Sequence, residues 1–90
     1  MTDTYRRAPD VEETSVGGRS ILYHRSTGKA IVLNPTASLV WSLLATPQTS
    51  RSIADRVAER FPAVAPETLD DDVAAFLDAT VGHGIVLANH

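Results

Sequence analysis

The stretch His24–Leu44, HRSTGKAIVLNPTASLVWSLL, changes its hydrophobic period at Asn34 and thereby decides the fold. Before that point, Lys29–Leu33 is apolar at its last four positions, which predicts a strand with hydrophobic side chains on both faces. Asn34 and Pro35 are favoured at the N-cap and the first position of a helix. Apolar residues then recur at helical spacing and predict a helix over Pro35–Leu44: Ala37, Val40, Trp41 and Leu44.

Two more strands are predicted upstream of this stretch, over Val11–Val16 and from Ile21 to about Arg25. Gly17-Gly18 between them supplies the two positive-φ positions that a two-residue hairpin prefers. Ser26-Thr27-Gly28 suits the loop that leads into the strand Lys29–Leu33. The front half of the chain is therefore predicted to be a three-stranded antiparallel meander.

Two further helices are predicted downstream. The second is capped by Thr49 or Ser50, ends at Pro62 and has an apolar stripe of Ile53, Ala54, Val57, Ala58 and Phe61. The third begins at Pro66, is stopped by Gly82 and Gly84, and has a stripe of Leu69, Val73, Phe76, Leu77, Thr80 and Val81. Ile85-Val86-Leu87 then forms a short extended tail. The fold class is α+β, with helices that pack together and against one face of the meander. No predicted element covers the second face or the outer edge of the strand Lys29–Leu33.

The length of 90 residues predicts one domain over residues 1–90. Residues 1–10 lack an apolar segment and are expected to be frayed. The sequence has no cysteine, which excludes disulfides and suits a reducing cytoplasm, and its longest apolar run is too short to span a membrane. We therefore expect a cytoplasmic soluble protein.

Charge is distributed unevenly along the chain, although the net charge is only −3. From Phe61 onward there is no lysine or arginine, and the acidic residues there are Glu67, Asp70, Asp71, Asp72 and Asp78. If the second and third helices formed a helix-turn-helix motif, the third helix would repel DNA phosphates. A partner of this segment is expected to be neutral or basic.

The sequence offers no recognisable catalytic or metal-binding motif. His24, His83 and His90 have spacings that match no metal site, and we expect them at the surface or at helix ends. The consecutive acids Asp70–Asp72 point about 100° apart on a helix and cannot converge on one calcium ion. We predict a protein that is not an enzyme and needs no cofactor.

Three pieces of the sequence, in order, resemble the PqqD-like family: STGKAIVLNPTASLVWSLL, SIADRVAERF and DVAAFLDATVGHGIV. Members of this family are precursor-peptide recognition elements of ribosomally synthesised, modified peptides (RiPPs). The resemblance extends from about Ile21 to Val86 and implies a winged-helix-like fold, with a three-stranded sheet followed by a three-helix bundle.

Within the family, the turn before the third strand separates two groups. Pyrroloquinoline-quinone chaperones usually have a YPEG-like turn, whereas this chain reads HRSTGKAIVLN. The TG turn, followed by LN-x-T-A and W-x-LL, is more similar to the stand-alone recognition proteins of lasso-peptide pathways, which pass a precursor to a leader peptidase. Two alternatives stay open: a chaperone of pyrroloquinoline-quinone or radical-SAM-type peptide maturation, and a winged-helix domain that binds another protein or DNA.

The resemblance also implies a binding mode, in which the leader of a substrate peptide adds an antiparallel strand beside the third strand, in the cleft facing the third helix. The predicted peptide-binding residues on the strand are Lys29, Ala30, Ile31, Val32 and Leu33. The buried stripe of the third helix has two shoulders, one with Asp72 and Ala79 and one with Asp70, Ala74 and Val81. We predict that Asp72, Phe76 and Ala79 form the far wall, because Phe76 then lies at the rim beside a small residue and an acid.

Overall fold

The computed structural model describes residues 3–89. Its strands and helices follow in this order: β1 (Thr4–Arg7), β2 (Val11–Val16), β3 (Arg19–His24), β4 (Ala30–Leu33), α1 (Pro35–Leu43), β5 (Gln48–Thr49), α2 (Ser50–Arg60), α3 (Pro66–Gly82) and β6 (Val86–Asn89). The strands form two antiparallel sheets, in the orders β2-β3-β4 and β5-β1-β6. The first sheet is the predicted meander and the three helices follow it. The predicted α+β class, with the winged-helix-like arrangement that the resemblance implied, is confirmed.

Both predicted hairpin turns are present. Gly17 and Gly18 have φ values of 59° and 80°, and they connect β2 to β3 with Val16 opposite Arg19. Gly28 has a φ of 74°, and its N–H donates to the His24 carbonyl at 2.9 Å. The His24 N–H in turn donates to the Lys29 carbonyl at 2.8 Å, so Gly28 and Lys29 together oppose one residue. This bulge sets the register in which β4 leaves the hairpin.

Local signals define where the helices begin. The Asn34 side chain accepts a hydrogen bond from the Ala37 N–H at 2.7 Å, and Pro35 follows it in the first turn of α1. Thr49 and Ser52 form a reciprocal capping box at the start of α2. The third helix begins at Pro66 without a side-chain cap. None of the helices within residues 3–89 is long and apolar enough to cross a membrane.

The core lies between the inward face of β2-β3-β4 and the three helices. Leu22 and Leu33 from the sheet pack against a set of buried helix and tail residues: Val40, Trp41, Leu44, Ile53, Val57, Leu69, Val73, Leu77, Ile85 and Val86. Val81 was predicted in the buried stripe of α3, but it is exposed. Thr80, from the same predicted stripe, is buried, and its hydroxyl donates to the Phe76 carbonyl at 2.7 Å, so it carries no unpaired polar group into the core.

The prediction that residues 1–10 are frayed is wrong for the four residues Thr4–Arg7, which form β1. This strand lies in the middle of the second sheet, between β5 and β6, with Arg7 opposite Val86. The Arg7 guanidinium donates to the Trp41 carbonyl at 2.6 and 3.1 Å and lies 4.3 Å from the centre of the Trp41 ring. It thereby adds side-chain hydrogen bonds to a carbonyl in the last turn of α1 that also accepts from the Leu44 N–H at 3.2 Å. Met1 and Thr2 lie outside the described residues.

The three histidines have different outcomes. His24 was expected at the surface or a helix end, but its side chain is buried at the end of β3, where its Nε2 lies 3.7 Å from the position that a Cβ on Gly84 would occupy. The Thr27 N–H donates to its Nδ1 at 3.4 Å, so the hairpin loop encloses the ring. His83 lies at the C-cap of α3, as predicted, and His90 lies outside the described residues.

Candidate peptide-binding groove

Strand β4 is at the edge of its sheet, with β3 as its only neighbour among residues 3–89. The direction of its free hydrogen-bonding groups follows from the bulge at Gly28. The Lys29 carbonyl faces β3, and the direction alternates along a strand, so the backbone groups of Ile31 also face β3. The N–H and C=O groups of Ala30 and Val32 therefore face outward. These two residues offer two donors and two acceptors to an incoming strand.

The side chains of β4 divide between two faces. Ile31 and Leu33 point inward, on the same face as Leu22, which is directly opposite Ile31, and Leu33 is buried. Ala30 and Val32 point away from the helices and are exposed. We call this side of β2-β3-β4 the outer face; its apolar residues are Val16, Ile21, Tyr23, Ala30 and Val32. The helices cover only one face of this apolar strand, and the other is open to solvent.

A groove runs between the free edge of β4 and α3. Its lining residues come from the strand, the start of α1 and one side of α3: Ile31, Val32, Asn34, Ala37, Asp72, Ala75, Phe76, Ala79 and Thr80. Its volume is about 330 Å³, at the lower end of the range for small-molecule pockets. A groove of this size beside free main-chain groups suits side chains of a peptide better than a bulky cofactor.

Five of the eight residues predicted to bind a peptide meet at this groove: Ile31, Val32, Asp72, Phe76 and Ala79. The other three do not line it. Leu33 is in the core, Ala30 lies on the outer face, and Lys29 is exposed where the hairpin loop ends. Of these three, Ala30 can still contact an added strand through its outward backbone groups.

Sequence reasoning missed other lining residues that had a detectable signal. Ala75 and Thr80 lie three and four residues from Asp72 and Phe76, so helical spacing places them on the same side of α3. Asn34 and Ala37 had been interpreted only as a helix cap and a core residue. Their second role depends on where α1 begins relative to β4, which no local pattern reveals.

The two shoulders of α3 face different neighbours. The shoulder with Asp72 and Ala79 lies beside β4 and forms the far wall of the groove. The shoulder with Asp70 and Ala74 instead faces α2 and Tyr5 across a second depression. The predicted far wall is therefore on the side of α3 that faces the free strand edge.

Asp72 is the only lining residue with an ionisable side chain. The rest of the lining is mostly apolar, with Phe76 half-buried against the core and the small residues Ala75 and Ala79 beside it. Such an arrangement can hold an apolar side chain and, at its mouth, a cationic or hydroxyl group. Residues 3–89 contain no group of three or more potential metal-ligating side chains.

Two solved structures share this fold. The structure of TbiB1 in complex with the TbiA(beta) leader peptide is 23% identical, with a TM-score of 0.75, and the match covers 90% of this chain and 93% of that chain. The structure of lasso peptide synthetase B1 complexed with the leader peptide is also 23% identical, with a TM-score of 0.71 and coverage of 92% and 96%. No curated protein matches the chain in sequence.

The sequence profile of coenzyme PQQ synthesis protein D (PqqD) matches residues 19–86. This range begins at β3 and ends at the start of β6, so it includes β4, α3 and the groove between them. Because the match covers well over half of the chain, the chain belongs to the PqqD family.

Proposed function

We propose that this chain binds the leader of a ribosomally synthesised precursor peptide as an added antiparallel strand on β4. The observation that carries this proposal is the free edge of β4, which lies directly beside a groove for side chains. Strand addition uses main-chain hydrogen bonds for affinity and pockets for alternate side chains for specificity. The outward groups of Ala30 and Val32 supply the first, and the groove supplies the second.

The fold comparisons favour a lasso-peptide pathway among the possible contexts. Both similar structures are complexes with a leader peptide, one of them of a lasso peptide synthetase. We infer that this chain is a non-catalytic cytoplasmic protein that delivers its precursor to a leader peptidase. The alternative within the family is delivery to an enzyme that matures pyrroloquinoline quinone or another radical-SAM product.

Charge argues against the DNA-binding alternative. The helix that would enter the major groove is α3, which carries five acidic residues and no lysine or arginine: Glu67, Asp70, Asp71, Asp72 and Asp78. Nucleic-acid affinity depends mainly on cations placed beside phosphates. The same acids are compatible with a leader that is neutral or basic.

A titration with a labelled leader peptide tests the proposal. We expect saturable binding of a fluorescein-labelled cognate leader, measured by fluorescence anisotropy, and no binding of a scrambled leader of the same composition. Mass spectrometry of the precursor after incubation with the chain alone should show an unchanged mass. Equal binding of both peptides, or a modified precursor, would refute the proposed function.

A further inference from the structure

The second depression, between α2 and the shoulder of α3 that carries Asp70 and Ala74, is separate from the peptide groove. Its volume is about 400 Å³, and it shares no lining residue with the groove. Ser50, Arg51 and Ala54 line it from the first turns of α2, and β1 contributes Tyr5. The α3 wall follows two helical turns and consists of five residues: Asp70, Val73, Ala74, Leu77 and Asp78. We call this site the α2–α3 depression.

The centre of the α2–α3 depression is apolar, and small residues lie on both of its walls. Val73 and Leu77 are each only 5% exposed and belong to the core. Ala54 on α2 is half-buried and Ala74 on α3 is exposed. The distance at which helices pack depends on the side chains at the contact, so these two alanines let another backbone approach closely. The depression therefore has room for a row of apolar side chains from another molecule.

The main chain around this depression offers no free strand edge. Strand β1 lies between β5 and β6, with Tyr5 opposite both Gln48 and Ala88. The other lining residues are on α2 and α3, where the main-chain groups beyond the first turn bond within each helix. An extended peptide would gain no main-chain partner here, in contrast to the edge of β4. A helix satisfies its own main-chain groups, so a helix suits this depression best.

The charged side chains around the depression are unpaired. Asp70 and Asp78 on α3, and Arg51 on α2, make no ion pair or hydrogen bond with another side chain or main-chain group of residues 3–89. The two acids are separated by about two turns of α3, roughly 12 Å along the helix axis. Cationic groups at that spacing, together with an acid facing Arg51, would pair all three. Such complementarity determines which partner binds, and in which orientation, more than it adds affinity.

A second copy of the chain fits the depression poorly. Two copies that met through it would bring the carboxylates of Asp70 and Asp78 from both copies against only the two Arg51 guanidinium groups. The excess of acids would oppose the contact. The occupant is therefore a different molecule, with more basic than acidic groups on the face that it presents.

We propose that the α2–α3 depression binds an amphipathic helix of another protein. Apolar side chains one turn apart on that helix pack on Val73 and Leu77. Two lysine or arginine side chains, about two turns apart, pair with Asp70 and Asp78, and an acidic side chain on the other side of the helix pairs with Arg51. The inference goes beyond the proposed function and does not depend on it. Because the depression and the groove share no lining residue, the helix and a leader peptide bind at the same time.

A pair of synthetic helices tests the inference. Each is a fluorescein-labelled, hydrocarbon-stapled peptide of about five turns with a row of leucines along one face. The first carries two lysines about two turns apart on one side of the leucines and a glutamate on the other side, and the second has every charge reversed. Their affinities for the chain are measured by fluorescence anisotropy at physiological ionic strength, with and without a saturating unlabelled leader.

Three variants of the chain locate the binding site. Ala74→Leu fills the depression without changing the charge, and Asp78→Lys reverses one charge beside it. Asp71→Lys is the matched control, because Asp71 is an exposed acid of α3 that lines neither the depression nor the groove. Each variant is also examined for its melting temperature and for its affinity for the labelled leader.

We expect saturable binding of the lysine helix and at least about tenfold weaker binding of the charge-reversed helix. Ala74→Leu should weaken binding of the lysine helix by at least about tenfold, because the new side chain occupies the space of the leucines. Asp78→Lys should weaken it by about fivefold, whereas Asp71→Lys should match the wild type within about twofold. All three variants should bind the leader and melt as the wild type does.

Four outcomes would overturn the inference. They are no binding of the lysine helix, equal affinity for both helices, wild-type affinity of Ala74→Leu for the lysine helix, and displacement of that helix by the leader. A dimer of the wild-type chain that Ala74→Leu dissociates would overturn it as well, because a second copy would then occupy the depression. Failure of the leader to bind, with the helix results unchanged, would refute only the proposed function.

Discussion

Proline substitutions at two adjacent residues of β4 should affect different properties, leader binding in one case and folding stability in the other. The reason is that neighbouring residues of a strand direct their N–H groups to opposite sides. The Val32 N–H faces the free edge, and the side chain is more than half exposed. Val32→Pro therefore removes a donor that the folded protein does not use, and edge strands tolerate proline at such positions. The Ile31 N–H faces Leu22 on β3, so Ile31→Pro breaks the sheet itself.

The expected magnitudes follow from these positions. Val32→Pro removes one main-chain hydrogen bond to the leader, about 1 kcal/mol, which corresponds to roughly fivefold weaker binding, and the ring adds steric hindrance on the edge. Ile31→Pro should lower the free energy of unfolding by about 3 kcal/mol, as for a proline that removes an internal hydrogen bond. For a domain of this size that amounts to a fall of about 12–24 °C in melting temperature.

Thermal denaturation followed by circular dichroism, together with fluorescence anisotropy of a labelled leader, measures both effects. Val32→Pro should melt within a few degrees of the wild type and bind the leader at least about fivefold more weakly. A folded Val32→Pro variant with wild-type affinity would show that the leader does not pair with this edge. An Ile31→Pro variant with wild-type stability would show that the register on which the reasoning depends is wrong.

Two further predictions concern the groove and the amino-terminal strand. Asp72→Asn and Ala79→Leu should each weaken leader binding by about 1–2 kcal/mol with a nearly unchanged melting temperature. The control Ala74→Leu, on the opposite shoulder of α3, should bind the leader as the wild type does. The reverse pattern would place the peptide on the other side of α3. Arg7→Ala should lower the free energy of unfolding, measured by chemical denaturation, by about 1–2 kcal/mol, because it removes two hydrogen bonds to the Trp41 carbonyl. Its affinity for the leader should be unchanged. Wild-type stability of this variant would mean that Arg7 does not anchor β1 to α1.

The elements that sequence reasoning predicted correctly are those that local chemistry determines. Asn34 and Thr49 begin helices because their side chains accept backbone N–H groups three residues on. Gly17, Gly18 and Gly28 turn the chain because they adopt positive φ. Each of these interactions spans only a few residues, so the sequence displays it directly.

The second sheet could not be predicted in the same way. Strand β1 pairs with β6, which lies near the opposite end of the chain, and Arg6 and Arg7 interrupt any apolar alternation in it. Its stability depends on long-range contacts, such as the one between Arg7 and Trp41, that no short window contains. The tail Ile85–Leu87 was predicted to be extended, but its partner was not.

The part of the candidate site that lies on α3 could be predicted from helical periodicity. Spacing along α3 placed Asp72 and Ala79 on one shoulder, and the family resemblance placed the helix opposite β4. That shoulder was chosen over the other because Phe76 then lies at the rim beside a small residue and an acid. The direction of the N–H groups of β4 was not predictable, since it depends on the bulge at Gly28 and Lys29, and a shift of one residue would reverse it.

A strand that is apolar on both faces and free at one edge should be prone to pair with its own copy, and the position of α3 opposes this. Two copies joined in antiparallel fashion through their β4 edges would share one continuous sheet, with both α3 helices on the same side of it. Each α3 carries Asp72 at the groove and no lysine or arginine, so the two acidic helices would repel each other across the new interface. A leader peptide can occupy the same edge without bringing such a helix, and a basic or neutral one meets no repulsion. The acids of α3, Asp72 above all, therefore oppose pairing of this edge with its own copy more than they oppose pairing with a neutral or basic peptide strand.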